Sequence, residues 1–138
     1  MTPPEPDDTY AAGLAVRREV LGDRHVDRAQ DATTVFTAPF QEFITRHAWG
    51  AVWTRDGLDR GARSMITLSV LTALGREAEI AIHVRGALRN GLTAEQIGEV
   101  LIHTAVYAGV PAANAAFAIA QRVIDEEVEP GAGGPARV

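Results

Sequence analysis

Apolar residues recur three and four apart along most of this chain, and no stretch alternates apolar with polar, so the pattern predicts helices and no strands. The densest part runs from Asp59 to Gly91 and reads as two helices back to back. The first spans Arg60 to Leu74, with Met65, Ile66, Leu68, Val70, Leu71 and Leu74 making it apolar over most of its surface. Asp59 is placed to cap it, because its carboxylate can accept from unsatisfied backbone N–H groups. Gly75 can take the left-handed conformation that ends a helix. The second helix spans Arg76 to Arg89 and stops at Asn90-Gly91.

Other segments follow the same logic. Asp8 to Leu21 is a helix with Tyr10, Leu14, Val16, Val20 and Leu21 at its apolar positions, ended by Gly22. The polar stretch from Gly22 to Thr34 predicts no more than a short helical turn around Val26 to Ala29. Thr37-Ala-Pro-Phe opens a long helix to Trp49 or Trp53, with Thr37 as its cap and Pro39 in the first turn. Its Phe40, Phe43, Ile44 and Ala48 are expected to face a core. Thr93 and Gln96 have capping-box spacing ahead of a helix that reaches Tyr107 or Ala108 and ends at Gly109. Pro111 opens a last, alanine-rich helix to about Val128. Residues 1–7 and 129–138 are rich in Pro, Gly and acidic residues and are expected to be disordered. The prediction is an all-α protein of five or six main helices, with one domain over residues 8–128.

On the second central helix the polar residues are not scattered. Arg76, Glu79, His83 and Asn90 stand three, four and seven apart, which places them on one face. Arg46, Trp49 and Trp53 likewise share a stripe on the earlier helix. Each group has an ordinary explanation: a solvated face with an i,i+3 ion pair, and a structural Trp pair at a helix end. The functional alternatives are a site built on Arg76, Glu79 and His83, and a pocket wall with Arg46 as an anion clamp. Spacing does not choose between them.

Composition narrows the chemistry. The chain has 138 residues and a net charge of −5, with no basic run, which argues against a nucleic-acid partner. No apolar stretch is long enough to cross a membrane and no signal peptide is evident, so a cytoplasmic location is expected. Cys is absent, which removes thiolate nucleophiles, thiolate metal sites and Cys-X-X-Cys redox chemistry. Lys is absent too, so all 13 basic residues are Arg and no lysine Schiff base can form. An anionic substrate would have to be held by Arg, whose planar fork suits carboxylates.

His25, His47, His83 and His103 lack metal-binding spacing, and no metal site is expected. Ser64 and Ser69, the only serines, sit in no nucleophile elbow, although Ser64 is placed to approach His83 across the helix pair. His103 reads as a packing or surface residue. The GAGG at 131–134 follows no strand and is not a phosphate loop.

The motifs AWGxxWTRxGLDR, ALGRExE with His four residues on, HVRxALxNGLT and YxGVPAANxAF resemble the carboxymuconolactone decarboxylases of the β-ketoadipate pathway. AVRREVLGDRHVDRA near the N-terminus is similar to that family as well, so the resemblance covers roughly Tyr10 to Glu127. It implies the AhpD-like helical fold, assembled as a trimer or hexamer. It also implies loss of CO2 from 4-carboxymuconolactone, a dicarboxylate lactone, to give 3-oxoadipate enol-lactone. The thiol-peroxidase branch of this superfamily carries Cys-X-X-Cys-X-X-X-His on the matching helix. Its cysteine positions fall here on Arg76 and Glu79, so that activity is excluded. His47 and His103 stand where the commoner family pattern has Tyr and Gln. A related decarboxylase or isomerase without a cofactor, or a small-acid binder of the same fold, is the alternative.

The implied roles follow from the substrate. Electrons left by CO2 run through the ring double bond into the lactone carbonyl, so no organic cofactor or metal is required. Arg46 or Arg76 would clamp the carboxymethyl arm, and Arg76 or the backbone near Pro111 would face the oxyanion. His83 would deliver the proton, Glu79 would orient it, and Trp49 and Trp53 would exclude water.

Overall fold

Seven α-helices and one π-helical turn occupy residues 6–128, the part of the chain that the computed structural model describes, and no strand occurs among them. The helices are α1 (Pro6–Leu21), α2 (Asp23–Asp31), α3 (Ala38–Ile44), α4 (Arg60–Leu74), α5 (Glu77–Arg89), α6 (Ala94–Ala108) and α7 (Val110–Val128). The π turn, Thr45–Trp49, continues α3. Of the two terminal segments expected to be disordered, Pro6 and Asp7 open α1; the rest lies outside the described residues. No helix among the described residues is long and apolar enough to cross a membrane.

The chain divides into two compact units, Met1–Arg63 and Ser64–Val138. In the first, α1 lies against α2 and against the π turn. The polar stretch after Gly22 forms a full nine-residue helix where one turn was expected. Its only strongly apolar residue, Val26, is completely buried. Arg18 of α1 pairs with Asp23 at 3.1 Å and with Asp27 at 2.9 Å, tying down two successive turns of α2. One apolar anchor carries no periodicity, so such a helix is invisible to a pattern search.

The helix that opens at Ala38 also departs from expectation. Phe40 and Phe43 are 61% and 57% exposed and Ala48 is exposed, whereas Thr45 and Trp49 are buried. Ile44 is half-buried. The face turned toward α1 is the polar one, because Arg17 of α1 donates to both Gln41 and Thr45. Thr37 does not cap the helix; its hydroxyl instead accepts from the Thr34 N–H at 2.9 Å. Contact with α1 is backbone to backbone. A Cβ on Gly13 would lie 2.1 Å from the Thr45 carbonyl oxygen, and one on Gly50 would lie 2.5 Å from that of Thr9.

In the second unit α5, α6 and α7 pack on one another around Leu68, Ile80, Val84, Ile97, Leu101 and Val123. Local signals and packing agree here. The Ala62 N–H donates to Asp59 Oδ1 at 2.7 Å, just before the unit begins. Gly75, at φ +70°, turns the chain between α4 and α5. The capping box at Thr93 and Gln96 is complete. Ala116 and Ala120 of α7 are buried in this core, so that part of the face is used within the unit. Apolar side chains remain exposed elsewhere: Ile66, Val70 and Leu74 along α4, and Ile102, Val106 and Tyr107 on α6.

Candidate active site

The second central helix starts one residue later than its spacing suggested. Arg76 is the N-cap of α5, with a non-helical backbone at φ −87° and ψ 74°, and its N–H donates to the Leu71 carbonyl at 2.9 Å. Regular helix begins at Glu77, so the helical stripe is Glu79 and His83, four residues apart on adjoining turns. The core face of the same helix is Ile80, Val84 and Ala87. Its burial holds α5 in place and sets the direction in which Glu79 and His83 project. Glu79 and Arg76 are exposed, while His83 is half-buried with its Nδ1 atom buried.

Asn90 serves a different end. It is the C-cap of α5, and its amide donates to the Ser64 hydroxyl at 2.9 Å. Ser64 is 1% exposed and engaged in that bond, which removes it as a nucleophile candidate. His103 is exposed on α6, its ring 5.2 Å from that of Tyr107. His103 also edges a groove of about 500 Å³ with Met65, Ile66, Ser69 and Val70. Among the described residues no three His, Asp or Glu side chains gather as a metal site would require.

In the first unit the expected stripe of Arg46, Trp49 and Trp53 separates into two groups. Trp49 and Trp53 stack, ring centroids 5.0 Å apart at 28°, with Trp49 buried and Trp53 half-buried. Arg46 instead lies over the Tyr10 ring at 5.3 Å and pairs through Nε with Glu42 at 3.0 Å. It lines a cavity of about 480 Å³ together with Tyr10, Leu14, Arg17, Gln41 and Thr45, and neither Trp lines it. The π turn is the cause. Gly50 N–H bonds Thr45 O and Trp53 N–H bonds Ala48 O, each five residues back, so 3.6-residue spacing fails across this segment.

Arg17 is the residue that spacing arguments passed over. It is 6% exposed, and both terminal nitrogens donate to Gln41 Oε1 at 3.2 Å. Burial pushes its guanidinium below the usual arginine range, with Tyr10 acting in the opposite direction. A signal was present: Arg17 stands three residues from both Leu14 and Val20, on the apolar stripe of α1, where a solvated arginine has no place.

Residues 38–122 match the carboxymuconolactone decarboxylase family, a span that includes Arg46, both tryptophans, Arg76, Glu79 and His83. The chain is 46% identical over 120 residues to a 4-carboxymuconolactone decarboxylase of Acinetobacter baylyi, covering 87% of this chain and 90% of that protein. It is 43% identical over 122 residues to a nitrosuccinic acid decarboxylase of Metarhizium robertsii, covering 88% and 85%. Over 41 residues it is 58% identical to a 4-carboxymuconolactone decarboxylase of Pseudomonas putida, 30% of this chain and 85% of that one. Because the matched span draws on both compact units and contains every residue of the candidate set, the chain belongs to the carboxymuconolactone decarboxylase family.

Proposed function

We propose that this protein is a carboxy-lyase that converts 4-carboxymuconolactone into 3-oxoadipate enol-lactone in the catabolism of protocatechuate. The observation that carries the reading is 46% identity to a 4-carboxymuconolactone decarboxylase across most of both chains. The two full-length relatives also share a chemical theme. In 4-carboxymuconolactone and in nitrosuccinic acid alike, the carbon that bears the departing carboxylate also bears a CH2–COO⁻ arm and adjoins an electron sink. An enzyme for such substrates has to hold the arm, accept charge at the sink and return one proton.

The residues are assigned accordingly. The C–CO2 bond breaks and its electron pair passes through the ring double bond to the lactone oxygen. His83 gives a proton to the ring carbon next to that carbonyl, completing the enol-lactone. Glu79, one turn earlier, sets the orientation and charge of the imidazole. Arg76, exposed at the N-cap position, faces the developing oxyanion or the carboxymethyl arm. Arg46 supplies a second guanidinium for the arm. Trp49 and Trp53 wall off water, which strengthens each charge contact. The lactone provides its own electron sink, so the reaction needs neither an organic cofactor nor a metal. Direct assay settles the substrate: the lactone should lose CO2 with undiminished rate after dialysis against chelator. Turnover of nitrosuccinate in place of the lactone would redirect the assignment to the second relative's chemistry.

The assembly is proposed to be a trimer or hexamer. Exposed Ile66, Val70 and Leu74 form one stripe at four-residue spacing, and Ile102, Val106 and Tyr107 form another. Arg76 and Glu79 are exposed in the single chain, so a dry site requires a further surface to cover them. Light scattering should report an oligomer at micromolar concentration, and Leu74→Asp should shift it toward monomer. A wild-type monomer would reject this assembly. The cytoplasm is the proposed location, consistent with a soluble substrate.

A further inference from the structure

A buried cation whose hydrogen-bond partners are all neutral is costly. Each ion removed from water loses several kcal/mol of solvation, and that loss is recovered only by opposite charge and good hydrogen bonds. Arg17 is such a case. Its partners among the described residues are the Gln41 amide oxygen, at 3.2 Å from each terminal nitrogen, and the Thr45 hydroxyl at 3.3 Å. No carboxylate pairs with it among those residues, and its buried Nε–H has no acceptor. Arginine does not escape the cost by deprotonating near neutral pH. The Thr45 hydroxyl that accepts from Arg17 donates in turn to the Gln41 backbone carbonyl at 2.7 Å, so it brings no negative charge to the pair.

Arg17 borders the cavity of about 480 Å³ that Tyr10, Leu14, Gln41 and Arg46 also line. Among the described residues, two guanidinium groups and one carboxylate, Glu42, therefore surround the space, and Glu42 is engaged with Arg46 Nε. The balance among those residues is one positive charge. Tyr10 and Leu14 give one wall an apolar character suited to a short carbon chain.

We infer that this cavity is a binding site for a small organic carboxylate, with Arg17 as its principal cation and Arg46 as the second. A carboxylate there supplies the charge that Arg17 lacks and an acceptor for its remaining N–H groups. The volume, within the usual range for small-molecule sites, admits a molecule of succinate size. This inference shares Arg46 with the proposed function but does not require lactone turnover. Succinate binding without lactone turnover would sink the proposed function and leave this site standing; turnover without succinate binding would do the reverse.

The probe is succinate, with its dimethyl ester and inorganic phosphate as comparisons, titrated into the full chain. Calorimetry should show succinate binding at millimolar concentration or below, and no binding of the ester. The Arg17 Nε–H resonance should move in step with saturation. Arg17→Gln should weaken binding on the order of 10- to 100-fold, as expected for losing a charge-assisted contact. Arg17→Gln also removes ties between α1 and α3, so Leu14→Trp provides a second test that fills the space and leaves those ties in place. It should abolish succinate binding while the thermal midpoint holds. Failure of wild type to bind succinate would overturn the assignment. So would unchanged binding in Leu14→Trp, or phosphate binding as tight as succinate.

Discussion

His83→Ala should lower lactone turnover by about 10²- to 10⁴-fold, the usual range for loss of an acid–base group, while the substrate still binds. The reaction produces a carbanion equivalent delocalised over the ring, and the step that commits it to product is protonation beside the lactone carbonyl. Imidazole is the side chain best matched to that transfer near neutral pH. In this protein the ring is carried on a helix whose opposite face, Ile80, Val84 and Ala87, is locked into the core. With Nδ1 buried, we propose Nε2 as the nitrogen that faces the substrate. Turnover in deuterium oxide should place one deuterium on the ring carbon with a single configuration. Glu79→Gln should cost less than His83→Ala, because it keeps the shape of an orienting group and loses only its charge. If His83→Ala turns over near the wild-type rate with stereospecific deuteration intact, the proton has another source and His83 is structural.

Gly13→Ala should destabilise the first unit by about 3 kcal/mol, the upper end of what overpacking usually costs. The added methyl would meet the Thr45 carbonyl oxygen at 2.1 Å, the Gly50 nitrogen at 2.8 Å and the Gly50 Cα at 3.0 Å. All three are backbone atoms, so no rotamer change relieves the clash. The carbonyl it strikes accepts the Gly50 N–H at 2.9 Å, one of the bonds that define the π turn. Moving α1 away would loosen Arg17 from Gln41 and Thr45 and so open the cavity. Gly50→Ala should behave alike, with Thr9 O at 2.5 Å and Arg46 O at 2.6 Å from its methyl. Gly57→Ala is the control, having nothing within 4 Å of its added carbon. The measurement is the urea midpoint of each variant. A Gly13→Ala midpoint equal to that of Gly57→Ala would show that α1 and the π turn do not approach as described.

How far the chain could be read from its letters depended on whether each signal was local. Helix ends were legible because capping is a matter of a few neighbouring residues. Asp59, Gly75, the Thr93–Gln96 box and Gly109 act where their spacing placed them. The core of the second unit obeys the same local rule: Leu68, Ile80, Val84 and Leu101 sit on regular helices, where a 3.6-residue period converts directly into a buried face. Family membership was legible too, since the motifs around Trp49, Arg76 and His83 are contiguous runs of residues.

Tertiary structure decided the rest. The π turn from Thr45 to Trp49 broke the period on which the Arg46–Trp49–Trp53 stripe was built, sending Arg46 to Tyr10 and the cavity and leaving the tryptophans to stack on each other. A wide turn of this kind is favoured by what packs against it, here α1 approaching through Gly13, and pairs of glycines 37 residues apart announce nothing locally. Phe40 and Phe43 were expected inside and lie outside, because Arg17 recruits the polar Gln41–Thr45 face instead. Hydrophobic patterning assumes that the apolar side of a helix is the buried one. A buried arginine with partners on another helix reverses that, and only the fold brings those partners within reach.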